Sequence, residues 1–128
     1  MTAAPRRALP DGACDCHVHF FQPHFADPPK AGTPLARIDS YRAMQAHLGL
    51  QRVVLVQANA YGDDNRGVLE ALAALGADAR GVVVVRPQVA DAQLQAMHAQ
   101  GARGVRFHLL PGGMLGWDDL DAVVARIR

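Results

Sequence analysis

The sequence predicts an α/β fold with a parallel sheet, and more specifically the N-terminal half of a (β/α)8 barrel with about four βα units. Two observations predict this fold. Short β-branched runs alternate with alanine-rich amphipathic segments, as βα units do. Polar side chains follow the predicted strands at their carboxyl ends, where barrel enzymes place their chemistry. A doubly wound open sheet would more often have a phosphate-binding loop after its first strand, where this chain has histidines and phenylalanines.

Four strands are predicted in order along the chain. The first covers Cys14–His19 and ends in two histidines. The second and third, Arg52–Gln57 and Gly81–Arg86, are continuous apolar runs, as expected where both faces of a parallel sheet are covered. The fourth, Arg103–His108, is more polar.

A helix is predicted after each strand, and a glycine ends each of the first three. Asp, Ser or Asn at the start of these segments supplies a helix N-cap, and glycine adopts the left-handed conformation that ends a helix. The predicted helices run from Asp39 or Ser40 to Leu48 before Gly49, from Asp64 or Asn65 to Gly76, from Asp91 to Gly101, and from about Asp118 to Arg128.

Composition describes an ordinary globular protein. The 128 residues are 50% hydrophobic and 20% charged, with a formal net charge of +1, so neither a nucleic-acid nor a membrane partner is expected. The sequence has no apolar run of signal-peptide or membrane-span length, which predicts a cytoplasmic protein. We expect a single domain over residues 1–128 that is truncated at its C-terminus, because a closed barrel needs roughly 250 residues. The oligomeric state is left open.

The two cysteines are predicted to be buried, reduced thiols. Only one residue separates Cys14 from Cys16, which is too close for an unstrained disulfide in an extended strand. A zinc site built from both cysteines and both nearby histidines is disfavoured, because strand alternation places the two kinds of ligand on opposite faces.

The spacing of the two histidines predicts a site at the end of the first strand. Alternation places Asp15, His17 and His19 on one face. Two converging imidazoles can bind a metal ion or polarise a carbonyl group, and the alternative is that one of them only caps the strand. The long loop Phe20–Arg37, with four prolines, is predicted to fold over this site.

Further candidates follow the second and fourth strands. Arg106 offers a planar fork that suits a carboxylate, unless it faces solvent or a helix. His108 shares the alternating face of Arg106, although it could lie in solvent. Tyr61 either contacts a ring substrate or packs in its loop, and Asn59 lies at a strand end where it could contact substrate.

Four segments in order resemble the amidohydrolase superfamily, specifically the amidohydrolase-2 group that contains 2-pyrone-4,6-dicarboxylate lactonases. The segments are Asp15–Phe20, Val54–Asn59, Gly62–Asn65 and Gly101–His108. The resemblance implies a partial TIM-barrel amidohydrolase domain over residues 1–128, with substrate at the carboxyl ends of the strands. It also implies an enzyme that opens a lactone, a cyclic ester, by attack of an activated water.

The resemblance assigns roles to four residues. His17 and His19 match the pair that polarises the substrate carbonyl in the lactonases, and many other superfamily members bind a divalent metal with this pair. Arg106 matches an arginine that holds a substrate carboxylate, and Asn59 stands where the lactonases have a serine. The general-base aspartate of the last strand and a histidine of strand five or six are absent from this sequence, so the chain alone is expected to be inactive.

Two departures from the lactonase pattern affect the predicted substrate. Gly32-Thr33-Pro34 replaces a Tyr-Thr-Pro, and Pro111-Gly112-Gly113 replaces a segment with a further arginine. We therefore expect a carboxylated lactone with fewer carboxylates, handled in the catabolism of aromatic or sugar-derived acids, and no cofactor. One alternative is a metal-dependent amidohydrolase or decarboxylase with zinc or manganese on His17 and His19. Another is a non-catalytic barrel fragment that binds a carboxylate through Arg106.

Overall fold

Four parallel strands form one sheet whose spatial order is the order along the chain. The computed structural model describes residue 3 and residues 5–21 and 36–128. Its strands are β1 Cys14–Val18, β2 Arg52–Val56, β3 Ala79–Val83 and β4 Ala102–Val105, in the order β1-β2-β3-β4. Consecutive parallel neighbours with a helix after each strand are the arrangement of a barrel, whereas a doubly wound sheet reorders its strands. The predicted fold class is confirmed.

Four α-helices connect and follow the strands: α1 Ile38–Leu48, α2 Arg66–Leu75, α3 Asp91–Ala99 and α4 Leu120–Ile127. Gly49 ends α1 with φ 77°, in the left-handed conformation that the sequence predicts. The last helix begins later than predicted, because Trp117–Asp119 form a 3-10 turn before it. No helix in the described ranges is long and apolar enough to cross a membrane.

The helices all pack on one face of the sheet. Tyr41 of α1, Leu72 of α2, Met97 of α3 and Val123 of α4 are buried in the same apolar cluster as the strand residues. Gly81 of β3 allows this close packing, since a Cβ there would lie 2.8 Å from a methyl carbon of Leu72. The opposite face of the sheet corresponds to the inside of a barrel.

The third strand lies two to three residues earlier than predicted. It ends at Val83, although the apolar run continues to Val85. The cause is Asn65, whose side-chain amide forms hydrogen bonds with both backbone groups of Val84. Asn65 Nδ2 donates to the Val84 carbonyl at 2.7 Å, and Asn65 Oδ1 accepts from the Val84 N–H at 2.9 Å. Val84 therefore bonds to a side chain instead of a neighbouring strand.

The first strand contains an irregularity that changes which side chains share a face. Asp15 pairs with Val53 and Val18 pairs with Leu55, so three steps along β1 match two along β2. This is the register of a β-bulge. Because Val53 and Leu55 both belong to the core under the helices, Asp15 and Val18 both lie on the helix-covered side.

The prediction that Asp15 shares a face with His17 and His19 is therefore wrong. Asp15 Oδ2 instead accepts a hydrogen bond from the Tyr41 hydroxyl of α1 at 3.3 Å. Burial, and secondarily the Asp15 carboxylate, raise the pKa of Tyr41 well above its ordinary value, so the hydroxyl stays protonated and donates.

The prediction of two buried thiols is also wrong. Cys16 is exposed and Cys14 is partly exposed, because β1 lies at the edge of the described sheet. Both cysteines are free thiols. Residues 22–35, which include Gly32, Thr33, Pro34 and most of the proline-rich loop, lie outside the described residues, so the predicted covering of the site is not tested.

Candidate functional site

His17 and His19 meet at the carboxyl end of β1. Their Nε2 atoms are 3.2 Å apart, and their rings are perpendicular with centroids separated by 4.8 Å. His19 Nδ1 donates to the carbonyl oxygen of Val56 at 2.8 Å, which ties the ring to the end of β2. We refer to His17 and His19 as the histidine pair.

The hydrogen bond to Val56 determines the tautomer of His19. A carbonyl oxygen only accepts, so Nδ1 carries the proton and the neutral ring has a lone pair on Nε2. Burial lowers the pKa of His19, and the positive charges of Arg106 and His17 add to this effect. His19 is therefore neutral at neutral pH, with its Nε2 lone pair directed at His17.

The histidine pair fits two neighbouring positions around a metal ion. Nitrogen ligands about 2.0–2.1 Å from a tetrahedral zinc ion stand about 3.3 Å apart, close to the observed separation. The backbone carbonyl of Val56 is also the kind of partner that orients a metal-binding histidine through its other nitrogen. Within residues 5–21 and 36–128, no cluster of three or more metal-binding side chains is present.

Arg106 lies immediately after β4, beside the histidine pair. Its Nη1 donates to the Gln57 carbonyl oxygen at 2.6 Å, and its Nη2 lies 3.2 Å from His108 Nδ1. Val105 and Phe107 pack against the core, so the intervening Arg106 points to the inner side of the sheet. Its charge lowers the pKa of His19, which places Arg106 and the histidine pair in one electrostatic environment.

His108 acts as a partner of Arg106. An arginine can only donate, so His108 Nδ1 accepts and the neutral His108 ring carries its proton on Nε2. The two acceptors, His108 and the Gln57 carbonyl, hold the guanidinium in one orientation before any ligand binds. Such prior ordering reduces the entropy that a carboxylate ligand would cost on binding.

Asn59 and Tyr61 lie in the segment that follows β2. Asn59 Nδ2 donates to the Gly112 carbonyl at 3.3 Å, which joins the loop after β2 to the loop after β4. The Tyr61 ring lies 5.9 Å from Phe21, whose ring is 6.5 Å from His19. Their predicted contacts with substrate stay predictions.

Two amide side chains shape the site, and the sequence analysis missed this role. Gln57 is 1% exposed, and its Nε2 donates to the carbonyls of Gly62 and Asp64 at 3.1 and 2.7 Å. Asn65 binds Val84 as described above. The available signal was an amide at the end of an apolar strand, since a buried polar group needs hydrogen-bond partners.

The acidic residues before α2 make ion pairs. Asp63 binds Arg86 at 2.6 Å, so Arg86 is engaged outside the histidine site. Asp64 binds the Arg66 guanidinium at 2.8 and 2.6 Å and accepts from the Arg66 N–H at 3.3 Å, in the first turn of α2. The hydrogen bonds from Arg66 lower the pKa of Asp64 below its ordinary value.

Comparison with known proteins identifies the family. Residues 14–128 match the family model described as amidohydrolase. The chain is 42% identical over 83% of its length to a 2-pyrone-4,6-dicarboxylate hydrolase of Comamonas testosteroni, and 34% identical over 96% to a D-galactarolactone isomerase of Agrobacterium fabrum. It spans 36% and 44% of these two relatives, respectively, which is less than half of each.

A solved structure supports the fold. The crystal structure of an Agrobacterium tumefaciens protein without ligand matches 96% of this chain with a TM-score of 0.85 and 35% identity, and the match covers 46% of that protein. Four βα units in about half of a longer chain are consistent with half of a barrel. Amidohydrolases generally depend on a metal, which fits the zinc or manganese alternative better than the prediction of no cofactor. The chain belongs to the amidohydrolase family.

Proposed function

We propose that the chain supplies the carboxylate-binding and carbonyl-activating part of an enzyme that hydrolyses a carboxylated lactone. The observation that carries this proposal is the guanidinium of Arg106, held by two acceptors beside the histidine pair. The relatives support it, because a 2-pyrone and a galactarolactone are both cyclic esters. A cation next to a carbonyl-activating group suits a lactone that carries an anionic substituent.

Arg106 would bind the carboxylate of the substrate. Its two hydrogen bonds, to Gln57 and His108, occupy one N–H on each terminal nitrogen and leave further N–H groups for a ligand. His108 carries a proton on Nε2 and would donate from there to an oxygen of the same substrate. The carboxylate thereby orients the ring, so that its carbonyl lies at the histidine pair.

The histidine pair would stabilise the negative charge that develops on the carbonyl oxygen as water attacks. His19 cannot donate from Nε2 in its neutral form, because Nδ1 holds the proton. A divalent zinc or manganese ion held by both Nε2 atoms would supply Lewis-acid polarisation of the carbonyl when bound. His17 is exposed, and its Nε2 lies 3.2 Å from that of His19.

The loop after β4 supports a substrate with few carboxylates. Leu110–Gly113 forms a turn in which the Gly113 N–H donates to the Leu110 carbonyl at 3.0 Å. Pro111, Gly112 and Gly113 provide no cationic side chain. Arg106 would therefore bind a single carboxylate through this part of the site. Catabolism of aromatic or sugar-derived acids and a cytoplasmic location stay predictions.

Calorimetric titration of the chain with lactones that carry no, one or two carboxylates tests the proposal. We expect binding of the carboxylated lactones and a loss of about 10- to 150-fold in affinity in R106Q, which corresponds to about 1.5–3 kcal/mol for a charged hydrogen bond. R103Q is the matched control, because Arg103 lies on β4, three positions before Arg106, and among the described residues its side chain bonds to the backbone of His98 and Ala102. Equal binding of neutral lactones, or unchanged binding in R106Q, would contradict the proposal.

Proton release and product analysis distinguish the reaction classes. Hydrolysis converts the ester into a hydroxy acid, whose carboxyl group releases one proton at neutral pH, whereas isomerisation of a lactone releases none. In the complete barrel, we expect proton release that a chelator abolishes and zinc or manganese restores. Binding that depends on Arg106 without turnover in the complete barrel would identify a carboxylate-binding protein instead.

A further inference from the structure

The bulge in β1 lies inside the segment that carries the histidine pair. In a regular strand Asp15 and Val18 would face opposite sides, because they are three positions apart. The register shift instead places both on the helix-covered side. The segment between them therefore contains one more residue than the paired segment of β2. The Nε2 atom of His17 lies 3.2 Å from that of His19 on the inner side of the sheet.

The carboxylate of Asp15 spans this bulge. Its Oδ1 accepts from the backbone N–H of His17 at 3.4 Å, and its Oδ2 accepts from the Tyr41 hydroxyl at 3.3 Å. One side chain thus connects the backbone of a site residue to helix α1. Asp15 makes these contacts without touching either imidazole ring.

Tyr41 is a rigid anchor for this connection. It is 7% exposed and is the buried residue of α1. Its ring packs edge-to-face against Phe20, with centroids 5.4 Å apart and planes at 81°. Movement of the Tyr41 hydroxyl would disturb the core, so its position determines where the Asp15 carboxylate lies.

We propose that Asp15 is a positioning residue that holds the β1 bulge against Tyr41 and thereby sets His17 at the correct distance from His19. The proposal rests on the proposed function in one respect, because that function explains why a defined distance between His17 and His19 matters. It gives Asp15, which strand alternation places on the face of the histidine pair, a role on the opposite face.

The chemistry of the two contacts predicts which substitution preserves the bulge. An asparagine at position 15 keeps an oxygen for the His17 N–H and presents an amide to the Tyr41 oxygen, which can also accept. An alanine loses both contacts. If only the negative charge of Asp15 mattered, D15N and D15A would have equal effects. The positioning role instead predicts that only D15A displaces His17.

Two measurements on the 128-residue chain test the proposal. Long-range ¹H–¹⁵N NMR reports the ring nitrogens of His17 and His19, and competition with a chromophoric chelator gives the affinity for Zn²⁺. In D15A we expect altered ring signals of both histidines and an affinity for Zn²⁺ that is about 10- to 100-fold lower, the usual range for groups that orient metal ligands. In D15N we expect signals near those of the unmodified chain.

Y41F provides a second test that retains the buried ring. It removes the hydroxyl that anchors Asp15, and we expect changes in the ring signals in the same direction as in D15A. D63N is the control, because it removes an acid that binds Arg86 at the surface. It should leave the signals of both histidine rings unchanged.

Unchanged ring signals in a folded D15A or Y41F would overturn the proposal, and so would equal effects of D15A and D15N. If D15A does not fold, Y41F decides the question. Neither measurement uses a lactone, so failure of lactone binding would refute the proposed function and leave the positioning role standing, and the reverse also holds.

Discussion

Replacing Asn65 with alanine should destabilise the fold more than a typical substitution in a loop does. The substitution removes two hydrogen bonds of 2.7 and 2.9 Å to the backbone of Val84 and a third, of 3.1 Å, to the carbonyl of Asp63. Val84 is 6% exposed, so its N–H and carbonyl lose their partners in a region that water reaches poorly. Asn65 makes no side-chain bond to the first turn of α2, so loss of a helix cap does not contribute.

The expected cost follows from these groups. An unsatisfied buried polar group costs about 1–3 kcal/mol, and the two groups of Val84 therefore predict a loss of about 2–6 kcal/mol in the free energy of unfolding. With a typical urea dependence of about 2 kcal/mol per M for a small domain, the unfolding midpoint falls by about 1–3 M. Urea titration followed by circular dichroism measures this shift.

Asn59 provides the matched control. It is also an asparagine in the polar segment after β2, but it makes one hydrogen bond, of 3.3 Å, at an exposed position. N59A should cost less than about 1 kcal/mol. The reasoning is refuted if N65A loses less than about 1 kcal/mol, or if N59A and N65A have the same effect.

Two further predictions concern a loop and an ion pair. G113A should lose about 1–3 kcal/mol of stability and shift the amide signals around His108, because its Cβ would overlap the His108 carbonyl oxygen. Urea titration and amide NMR measure these effects. G116A is the control and should change little in both measurements, because the space around Gly116 is open. Carboxyl NMR should show the pKa of Asp64 below 3.8, rising toward the ordinary value in R66Q. Since the folded-state pKa is the lower one, the stabilising contribution is present above pH 3.8 and is lost as the pH falls through the folded-state value. A normal pKa of Asp64 in the unmodified chain would contradict this.

Most of the fold could be predicted because it depends on local patterns. Apolar runs and glycine stops identify the strands and helices, and Gly49 adopts the predicted conformation. The end of β3 could not be predicted, because the apolar run from Val82 to Val85 continues past the point where Asn65 replaces the strand partner. That interaction joins residues 19 positions apart and leaves no local signal.

The candidate site divides in the same way. Strand alternation groups His17 with His19, whose Nε2 atoms are 3.2 Å apart in the structure. It misplaces Asp15, because the bulge shifts the register of β1 between Asp15 and Val18. The partner of Arg106 at Gln57 is a backbone carbonyl, which any residue could supply, so no residue type in the sequence marks it.

The bulge in β1 has a consequence for the chemistry of the site. Alternation places Asp15, His17 and His19 on one face of the first strand, but the register shift moves Asp15 to the side of Tyr41 and leaves the two imidazoles on the other. A carboxylate next to the histidine pair would stabilise the imidazolium form, which cannot ligate a metal ion. Burial, and secondarily the charges of Arg106 and His17, lower the pKa of His19, so its Nε2 lone pair stays available. In the proposed hydrolysis, an acidic group that acts on the attacking water would then come from an element other than β1.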